Sequence, residues 1–385
     1  MSSNLIVLGN GFDLKCGVRS TYTDFFDARI SKEVEEKLES FFTKLDLSFS
    51  YRSLSFNQDE EYDGYKIHEN VYNLITDAKL TFWDLLFVAN KDLKPIRNWH
   101  NVEQNMLDIL KEIDLSKNYS NIGQHMTKGI PGLRRELKSS IQISLLKCSI
   151  LAYYVIPKER YRSKKNLDDF LLSELIEFES SFSNYLEDKI LETNEYSHIS
   201  ELLIRKIIGE DNSIDDVEAL SFNYTEPRCL RNKITNVHGK LGNKNIIFGI
   251  DQDEISPSSL IYKYTKTFRK MVQINKNKGD SVYINNKNDL KNIFFYGHSL
   301  SVLDYSYFQS IFDYYNLYDS NVSLTFCCSP YGDKTSQEIL TEHAGLVANL
   351  LGKYGKTMNN ENHGRNLMHK LMLEGRLTIK EINNL

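Results

Sequence analysis

Two polar side chains stand directly after short apolar runs of the sequence, where they could act on a bound ligand. Asn223 follows the run 219–222, and His238 follows the run 234–237. An amide can position a water molecule, and an imidazole, whose ordinary pKa is about 6.5, can accept a proton near neutral pH. If the two runs are adjacent parallel strands, about 4.8 Å apart, both side chains can converge on one pocket. A capping Asn and a buried structural His fit the same positions equally well.

Two glycine-containing segments offer groups that bind phosphate or ribose. In the segment 8–13, small residues after the first apolar run would let backbone N–H groups approach a phosphate closely. In the segment 294–301, Gly297 permits a tight exit from a strand, and the hydroxyls of Ser299 and Ser301 could bond to a ribose or phosphate. The structural alternatives are a turn that simply needs glycine and a helix that is capped by Ser301.

The apolar runs that carry these segments have the character of strands buried on both faces. Several of them end in Asn, His or Gly rather than in a hairpin dipeptide, which favours parallel strands with ligand groups at their carboxyl ends. The fold class is therefore predicted to be α/β, with a Rossmann-like open parallel sheet. The predicted strands are 4–8, 219–222, 234–237, 246–250, 293–296 and 322–328.

A long helical region separates the first predicted strand from the others. Between residues 71 and 208 no alternating strand pattern appears, and helical spacing of apolar residues recurs at 74–89, 102–113, 133–156 and 167–191. We therefore predict a discontinuous nucleotide-binding α/β core formed by residues 1–30 and 214–343. Residues 31–213 are predicted to form a helical insertion domain, and residues 344–385 a C-terminal helical tail.

Charged residues in and after the insertion leave two questions open. Glu103 and Glu179 lie near aromatic residues, where they either pair with Lys or Arg at a helix contact or reach over the pocket. The segment 262–278 carries six Lys and Arg residues with Tyr264 and Phe268 between them. That composition is typical of a solvated helix face, and it would also suit contacts with nucleic acid.

Composition argues against several classes of protein. The formal charge of −5 repels polyanions, so nucleic acid is not an expected partner. The start of the chain lacks the features of a signal peptide, and the most apolar interior stretch, 150–156, is too short to cross a bilayer. We expect a cytoplasmic protein without a membrane span. Five cysteines without a CxxC pair, and no Cys, His and carboxylate cluster at ligand spacing, predict reduced thiols and no metal.

The same segments, in this order, resemble the abortive-infection AbiH family of bacterial antiphage proteins. The resemblance extends over nearly the whole chain up to about position 310. The residues that carry it are Gly9-Asn10-Gly11-Phe12-Asp13-Leu14, Tyr22, Phe25-Phe26, Trp99, Glu103, Phe178-Glu179, Phe182, Tyr185-Leu186, Ser221-Phe222-Asn223-Tyr224-Thr225, Asn236-Val237-His238-Gly239, Phe248-Gly249-Ile250-Asp251, Gly297-His298-Ser299-Leu300, Asp304 and Tyr307-Phe308. The resemblance implies a role in antiphage defence.

A more distant resemblance links these segments to the sirtuin-like NAD-binding fold. It implies that Gly9 and Gly11 cradle the NAD phosphates, that Asn223 and His238 flank the nicotinamide ribose, and that Gly297 and Ser299 hold the adenosine ribose. This sequence departs from that pattern at Asn10-Gly11-Phe12-Asp13, where Ala-Gly-x-Ser is usual, and at Thr225, where Asp is favoured. It also lacks a four-cysteine zinc module, which argues against protein deacylation.

Together these resemblances imply an effector that binds NAD and hydrolyses it to nicotinamide and ADP-ribose. Asn223 and His238 are the predicted catalytic residues. The predicted cofactor-binding residues are Gly9, Asn10, Gly11, Asp13, Asp251, Gly297, Ser299 and Ser301. The alternatives are a non-catalytic nucleotide-sensing module and a nuclease acting on RNA. A phage-derived trigger, a partner protein and a homo-oligomer are further expected partners.

Overall fold

A six-stranded parallel sheet forms the centre of the computed structural model. The structure describes residues 3–50, 71–89, 99–115, 156, 160, 167–243, 245–252, 255–276, 289–301 and 304–383. The strands are β1 (Asn4–Leu8), β2 (Val217–Ser221), β3 (Ile234–Asn236), β4 (Asn292–Tyr296), β5 (Ser323–Cys328) and β6 (Leu377–Glu381). Their order across the sheet is β3-β2-β1-β4-β5-β6. The predicted Rossmann-like open parallel sheet is confirmed.

The first strand occupies the middle of this sheet because its side chains are apolar on both faces. Leu5 and Val7 pack into the core on one side of the sheet, and Ile6 and Leu8 pack into the core on the other side. All five residues of β1 are buried. The sheet order reverses between β1 and β4, and in open α/β sheets the crevice at such a reversal is the usual place for a ligand.

Helices surround the sheet and also form a separate layer. Their bounds are α1 (Asn10–Lys15), α2 (Tyr22–Arg29), α3 (Lys32–Ser50), α4 (Phe82–Ala89), α5 (Trp99–Leu115), α6 (Leu167–Glu192), α7 (Tyr196–Ile208), α8 (Lys266–Lys276), α9 (Tyr305–Tyr314), α10 (Ser336–Thr357) and α11 (Glu361–Leu373). Within the described part of 31–213, every regular element is a helix, and these helices include residues 71–77. Of the helix predicted at 133–156, all but Ile156 lies outside the described residues. The division into domains stays a prediction.

An aromatic core holds the helical layer together. Tyr22 and Phe25 of α2 pack against Phe178 of α6, with ring centroids 6.0 and 5.6 Å away. Phe248, which lies between β3 and β4 in the sequence, joins the same core 5.6 Å from Phe178. No helix in the described ranges is long and apolar enough to span a membrane.

The strand predicted at 246–250 is wrong. This segment is extended, but its one ladder contact is an isolated bridge between Ile250 and Thr265. Ile246, Phe248 and Ile250 alternate as they would in a strand, yet they pack into the aromatic core of the helical layer rather than onto the sheet. Alternating apolar residues therefore mark a buried extended segment here, which connects the sheet edge to the helices.

The C-terminal segment also differs from the prediction. Helices α10 and α11 are followed by β6, which pairs in parallel with β5, so the prediction of a purely helical tail is wrong for 377–381. The turn before β6 places Gly375 at a φ of +67°. Next to it the buried Arg376 donates hydrogen bonds to the backbone oxygens of Leu317 and Val322, which fixes the strand against the sheet.

The turns after β1 and β4 contact each other through backbone atoms. The N–H of Gly9 donates to Tyr296 O at 2.9 Å, and the N–H of Gly11 donates to Gly297 O at 2.8 Å. Gly297 has a φ of +71°, and a Cβ added there would overlap the backbone nitrogen of Phe12. Glycine is thus required at 297 both by conformation and by close packing.

Gly297→Ala is expected to lower the free energy of unfolding by more than the roughly 1–2 kcal/mol that a left-handed alanine costs by itself, because the methyl group also meets Phe12. Gly332→Ala is the matched control, since Gly332 has a φ of +60° with nothing within 4 Å of an added Cβ. Denaturant unfolding of both variants measures the difference. Equal losses in the two variants would contradict the contact.

Candidate functional site

Four neighbouring strands are each followed by a polar residue at the same distance past the carboxyl end of the strand. Ser221 is in register with Leu8 and with Asn236, and Leu8 is in register with Tyr296. Two residues beyond this row, the chain places Asn223 after β2, His238 after β3, Asn10 after β1 and His298 after β4. The carboxyl ends of β3, β2, β1 and β4 therefore form one polar edge, as the sequence predicted for Asn223 and His238.

Asn223 links this edge to the first glycine turn. Its Nδ2 donates to Gly9 O at 3.0 Å, and its own backbone oxygen accepts from Nδ2 of Asn236 at 2.7 Å. Nδ2 of Asn236 also donates to the backbone oxygen of Thr225 at 2.9 Å. Asn223 is 5% exposed. In this form of the molecule the two asparagines hold the loop after β2 in place.

His238 lies beside them without a close polar partner. The side chain is buried, and neither ring nitrogen makes a hydrogen bond to a described residue. Oδ1 of Asp304 lies 3.6 Å from Nε2, within ion-pair distance. The ring packs edge-on against Phe222 and Tyr307, with centroids 5.6 and 5.5 Å away. Two buried ring nitrogens without a hydrogen bond to a described residue are costly in free energy, and a group of this kind in a folded protein calls for an explanation.

A buried ammonium group lies next to His238. Nζ of Lys266 contacts Oε1 of Glu103 at 2.8 Å and Oδ1 of Asp304 at 2.9 Å. Oδ2 of Asp304 lies 3.4 Å from Nε2 of His298. We call these five residues, Glu103, His238, Lys266, His298 and Asp304, the Lys266 cluster. Glu103 comes from the helical layer and the others from the loops and helices beside the sheet edge, so the cluster joins the two parts of the fold.

Backbone contacts bring Lys266 to this position. The N–H of Lys266 donates to Ile250 O at 2.9 Å, and the N–H of Ile247 donates to His238 O at 2.7 Å. The extended segment 246–250 therefore bonds to the loop after β3 at one end and to the start of α8 at the other. A side chain on Gly249 would lie 2.6 Å from Tyr264 O, so glycine permits this close approach.

Burial and charge set the protonation states of the cluster. Burial by itself raises the pKa of Asp304. Lys266 and the two imidazoles lower the pKa by more than burial raises it, so the pKa lies well below its ordinary value. Burial raises the pKa of Glu103 to about 7, although Lys266 opposes this shift. Burial lowers the pKa of His238 to about 4, and the charge of Lys266 acts in the same direction while Asp304 opposes it. At neutral pH His238 is thus uncharged beside an ionised Asp304.

Three of the predicted cofactor-binding side chains already have protein partners. Both carboxylate oxygens of Asp13 accept from Oγ1 of Thr225, and Oδ1 also accepts from the hydroxyl of Tyr196 at 3.0 Å. Burial raises the pKa of Asp13 to about 7 despite these bonds. Oδ1 of Asn10 accepts from the hydroxyl of Ser20 at 2.7 Å. Asp251 accepts from the hydroxyl of Ser306 in the first turn of α9 at 2.9 Å.

The remaining predicted cofactor-binding residues lie in the two glycine turns. Gly9, Gly11 and Gly297 are brought together, but the N–H groups of Gly9 and Gly11 are bonded to β4 and the turn after it. Their amides therefore serve the contact between the turns in this form. Ser299 is exposed and Ser301 is half-buried, both beyond Gly297 on the same loop.

The structure shows which partners Glu103, Glu179 and the basic segment 262–278 have, and so decides between the two interpretations that the sequence left open for each. Glu179 forms a bidentate pair with Arg269 at the contact of α6 with α8, so the structural interpretation holds for it. Glu103 pairs with a lysine and also reaches the cluster around His238. In the basic segment, Lys263, Lys266 and Arg269 face carboxylates of the helical layer rather than solvent. Neither the solvated face nor the nucleic-acid surface describes these three residues.

Sequence reasoning did not identify Lys266, His298 and Asp304 as site residues. His298 stands in the segment considered for ribose binding, and its position two residues beyond β4 matches that of His238 beyond β3. Lys266 carried no signal, because basic residues at helical spacing usually face water. Among the described residues, no group of three His, Cys, Asp or Glu side chains could hold a metal ion. The described cysteines, Cys16, Cys229, Cys327 and Cys328, are free thiols.

Lys266→Met is expected to destabilise the fold by about 3–5 kcal/mol at neutral pH, because it leaves the buried carboxyl group of Glu103 and the half-buried carboxylate of Asp304 without their cation. The loss should shrink as the pH is lowered from about 8 to 5, since Glu103, whose pKa is raised, then takes up a proton and needs no partner. Denaturant unfolding across this pH range measures both effects. The double variant Lys266→Met, Glu103→Gln should recover part of the loss at neutral pH, and a single variant as stable as the wild type would refute the bridge.

Comparison with known proteins identifies the family. No curated protein and no solved structure matches the chain. The model of the family described as bacteriophage abortive infection AbiH matches residues 5–326, which extend from β1 into β5 and contain the whole Lys266 cluster. The matched region covers well over half of the 385 residues. The chain therefore belongs to the AbiH family, and its role is bacteriophage abortive infection.

Proposed function

We propose that this AbiH protein is an effector that binds NAD at the carboxyl edge of its sheet and hydrolyses the bond between ribose C1′ and nicotinamide. The observation that carries the proposal is His238, a buried, uncharged imidazole without a hydrogen-bond partner among the described residues, at the same height as Asn223. The sheet order supports it, because dinucleotides bind at the reversal point of sheets with this order.

The reaction needs few catalytic groups, which suits the residues at this edge. The C1′–N bond breaks with its electron pair moving to the nicotinamide ring, which loses its positive charge. A water molecule supplies the new oxygen at C1′, and its proton passes to His238 and then to solvent. Asn223 positions the water through its amide. The leaving group requires no general acid, so one base and one positioning amide are sufficient.

Burial of the site adds a requirement to this proposal. Asn223 and His238 are almost inaccessible, so NAD reaches them only when the side chains that cover them move aside. An effector that causes abortive infection has to stay silent until a phage is present, and a site that is closed at rest agrees with that need. The proposal therefore includes a trigger that opens the sheet edge.

A non-catalytic nucleotide sensor is the second candidate. The low pKa of His238 makes it a weak base, and the bonded amides of Gly9 and Gly11 favour a site that responds to binding by rearrangement. Nicotinamide release separates the two candidates from each other. A sensor binds NAD in calorimetry and releases no nicotinamide, in the presence as well as the absence of phage components.

His238→Phe is expected to abolish NAD hydrolysis, with a loss of roughly 10² or more in turnover, while stability stays the same or rises. Phenylalanine keeps the ring contacts with Phe222 and Tyr307 and removes two buried nitrogens that make no hydrogen bond to a described residue. Nicotinamide release per folded molecule and the melting temperature are measured together. His363→Phe is the control, because His363 stacks on Tyr318 in the C-terminal part of the chain. Unchanged turnover in the first variant would remove His238 from the mechanism.

Asn223→Ala is expected to show a mixed result. Turnover per folded molecule should fall by roughly 10², and the free energy of unfolding should fall by about 1–3 kcal/mol because Gly9 O loses its donor. Loss of stability with wild-type turnover per folded molecule would show that Asn223 is only a structural link between the loops after β1 and β2. The same nicotinamide assay, corrected for the folded fraction, gives both quantities.

A further inference from the structure

The residue that precedes α9 is an aspartate whose side chain does not cap the helix. Asp304 is the residue before α9, where an Asp side chain usually accepts a hydrogen bond from the next turn of backbone. Its side chain makes no such bond. The carboxylate instead turns inward, and its side chain is 14% exposed. The carboxylate of Asp304 is therefore available for interactions other than helix capping.

That carboxylate faces two imidazoles and one ammonium group. Oδ1 lies 2.9 Å from Nζ of Lys266 and 3.6 Å from Nε2 of His238, and Oδ2 lies 3.4 Å from Nε2 of His298. Lys266 keeps the carboxylate ionised, so Asp304 can only accept hydrogen bonds from its neighbours. Both imidazoles therefore turn their Nε2 atoms toward the same anion.

The tautomer of His298 is fixed by the backbone. Nδ1 of His298 accepts a hydrogen bond from the N–H of Leu300 at 2.8 Å, so its proton is on Nε2, toward Asp304. This bond requires a tight loop, and Leu300 has a φ of +52°, which is unusual for a buried leucine. His298 thus directs its Nε2 proton toward Oδ2 of Asp304, 3.4 Å away, and the lone pair on its Nδ1 is taken by the N–H of Leu300.

The same anion sets the tautomer of His238. A proton on Nε2 of His238 points to Asp304, whereas a lone pair there would face a negative charge. The favourable form therefore has Nε2–H and a lone pair on Nδ1. Nδ1 is buried and makes no hydrogen bond to a described residue. It is the nitrogen that is left to take a proton from water or from a ribose hydroxyl.

We infer that Asp304 is the positioning residue of the proposed reaction, which holds His238 in the Nε2–H tautomer so that Nδ1 is the base. This inference rests on the proposed function for its catalytic part and on the geometry alone for its tautomer part. When Nδ1 takes up the proton of the attacking water, both ring nitrogens carry protons and the imidazolium faces the Asp304 carboxylate. Release of the Nδ1 proton to solvent restores the starting form.

The tautomer part is tested on the wild-type protein, independently of any activity. Nitrogen NMR of the ¹⁵N-histidine-labelled chain at neutral pH distinguishes Nε2–H from Nδ1–H, and the signal that disappears in His238→Phe belongs to His238. We expect Nε2–H for both His238 and His298. An Nδ1–H form of His238 would overturn the inference even if the protein hydrolyses NAD.

The catalytic part is tested with Asp304→Asn, which removes the charge and keeps the shape. We expect kcat to fall by roughly 10- to 100-fold with KM changed less than about threefold. The rise of kcat/KM with pH, which follows deprotonation of His238, should move to lower pH, because loss of the anion makes the imidazolium easier to deprotonate. A purely structural Asp304 would lower the active fraction and leave the pH profile in place, which would overturn the assignment.

Glu179→Gln is the matched control for this variant. Glu179 is a buried carboxylate paired with a cation, Arg269, and no described histidine forms an ion pair with it. Its loss should reduce stability without altering the His238 signal or the pH profile.

If Asp304→Asn folds poorly, Asp304→Glu keeps the charge one methylene away and should retain the Nε2–H signal. Absence of NAD hydrolysis by the wild type in the presence as well as the absence of phage components, with the Nε2–H signal present, would reject the proposed function and leave the tautomer assignment standing.

Discussion

The ammonium group of Lys266, buried between Asp304 and Glu103, is the interaction on which the site depends. A lysine with almost no access to water is stable only when anions surround it, and here the anions come from different parts of the chain. The negative charge of Asp304 is kept by this contact, and the neutrality of His238 is reinforced by it. Sheet edge, helical layer and imidazoles are therefore coupled through a single cation.

The same principle explains the basic segment around α8. Lys263, Lys266 and Arg269 each pair with a carboxylate of α5 or α6, so the segment is fastened to the helical layer at three points. Buried ion pairs add little net stability compared with apolar packing, but removing one partner is costly. Such contacts favour one arrangement of the helices against the sheet, while they add little to the free energy of unfolding.

The sequence was informative where both faces of an element are buried and uninformative where partners are distant. The strands β1 to β5 are short, mostly apolar runs, and the matching positions of Asn223 and His238 beyond β2 and β3 follow from the register of those two strands. Alternation misled at 246–250, because an extended segment can pack against helices as well as against a sheet. β6 could not be distinguished from a helical end, since five residues with two charges carry a weak pattern. The contact of Lys266 with Glu103 joins residues 163 positions apart, and no local spacing encodes such a pair.

The central position of β1 has a consequence for the order in which the molecule can form. Gly9, just past β1, bonds to Asn223 from 214 positions along the chain, and the turn with Gly297 is still further away. At a ribosomal rate of about 5–20 residues per second, β1 waits roughly 10–40 s for its first neighbour. Asp304 is synthesised later still, after both histidines and Lys266. A nascent chain therefore cannot assemble the Lys266 cluster until more than three quarters of these 385 residues are made.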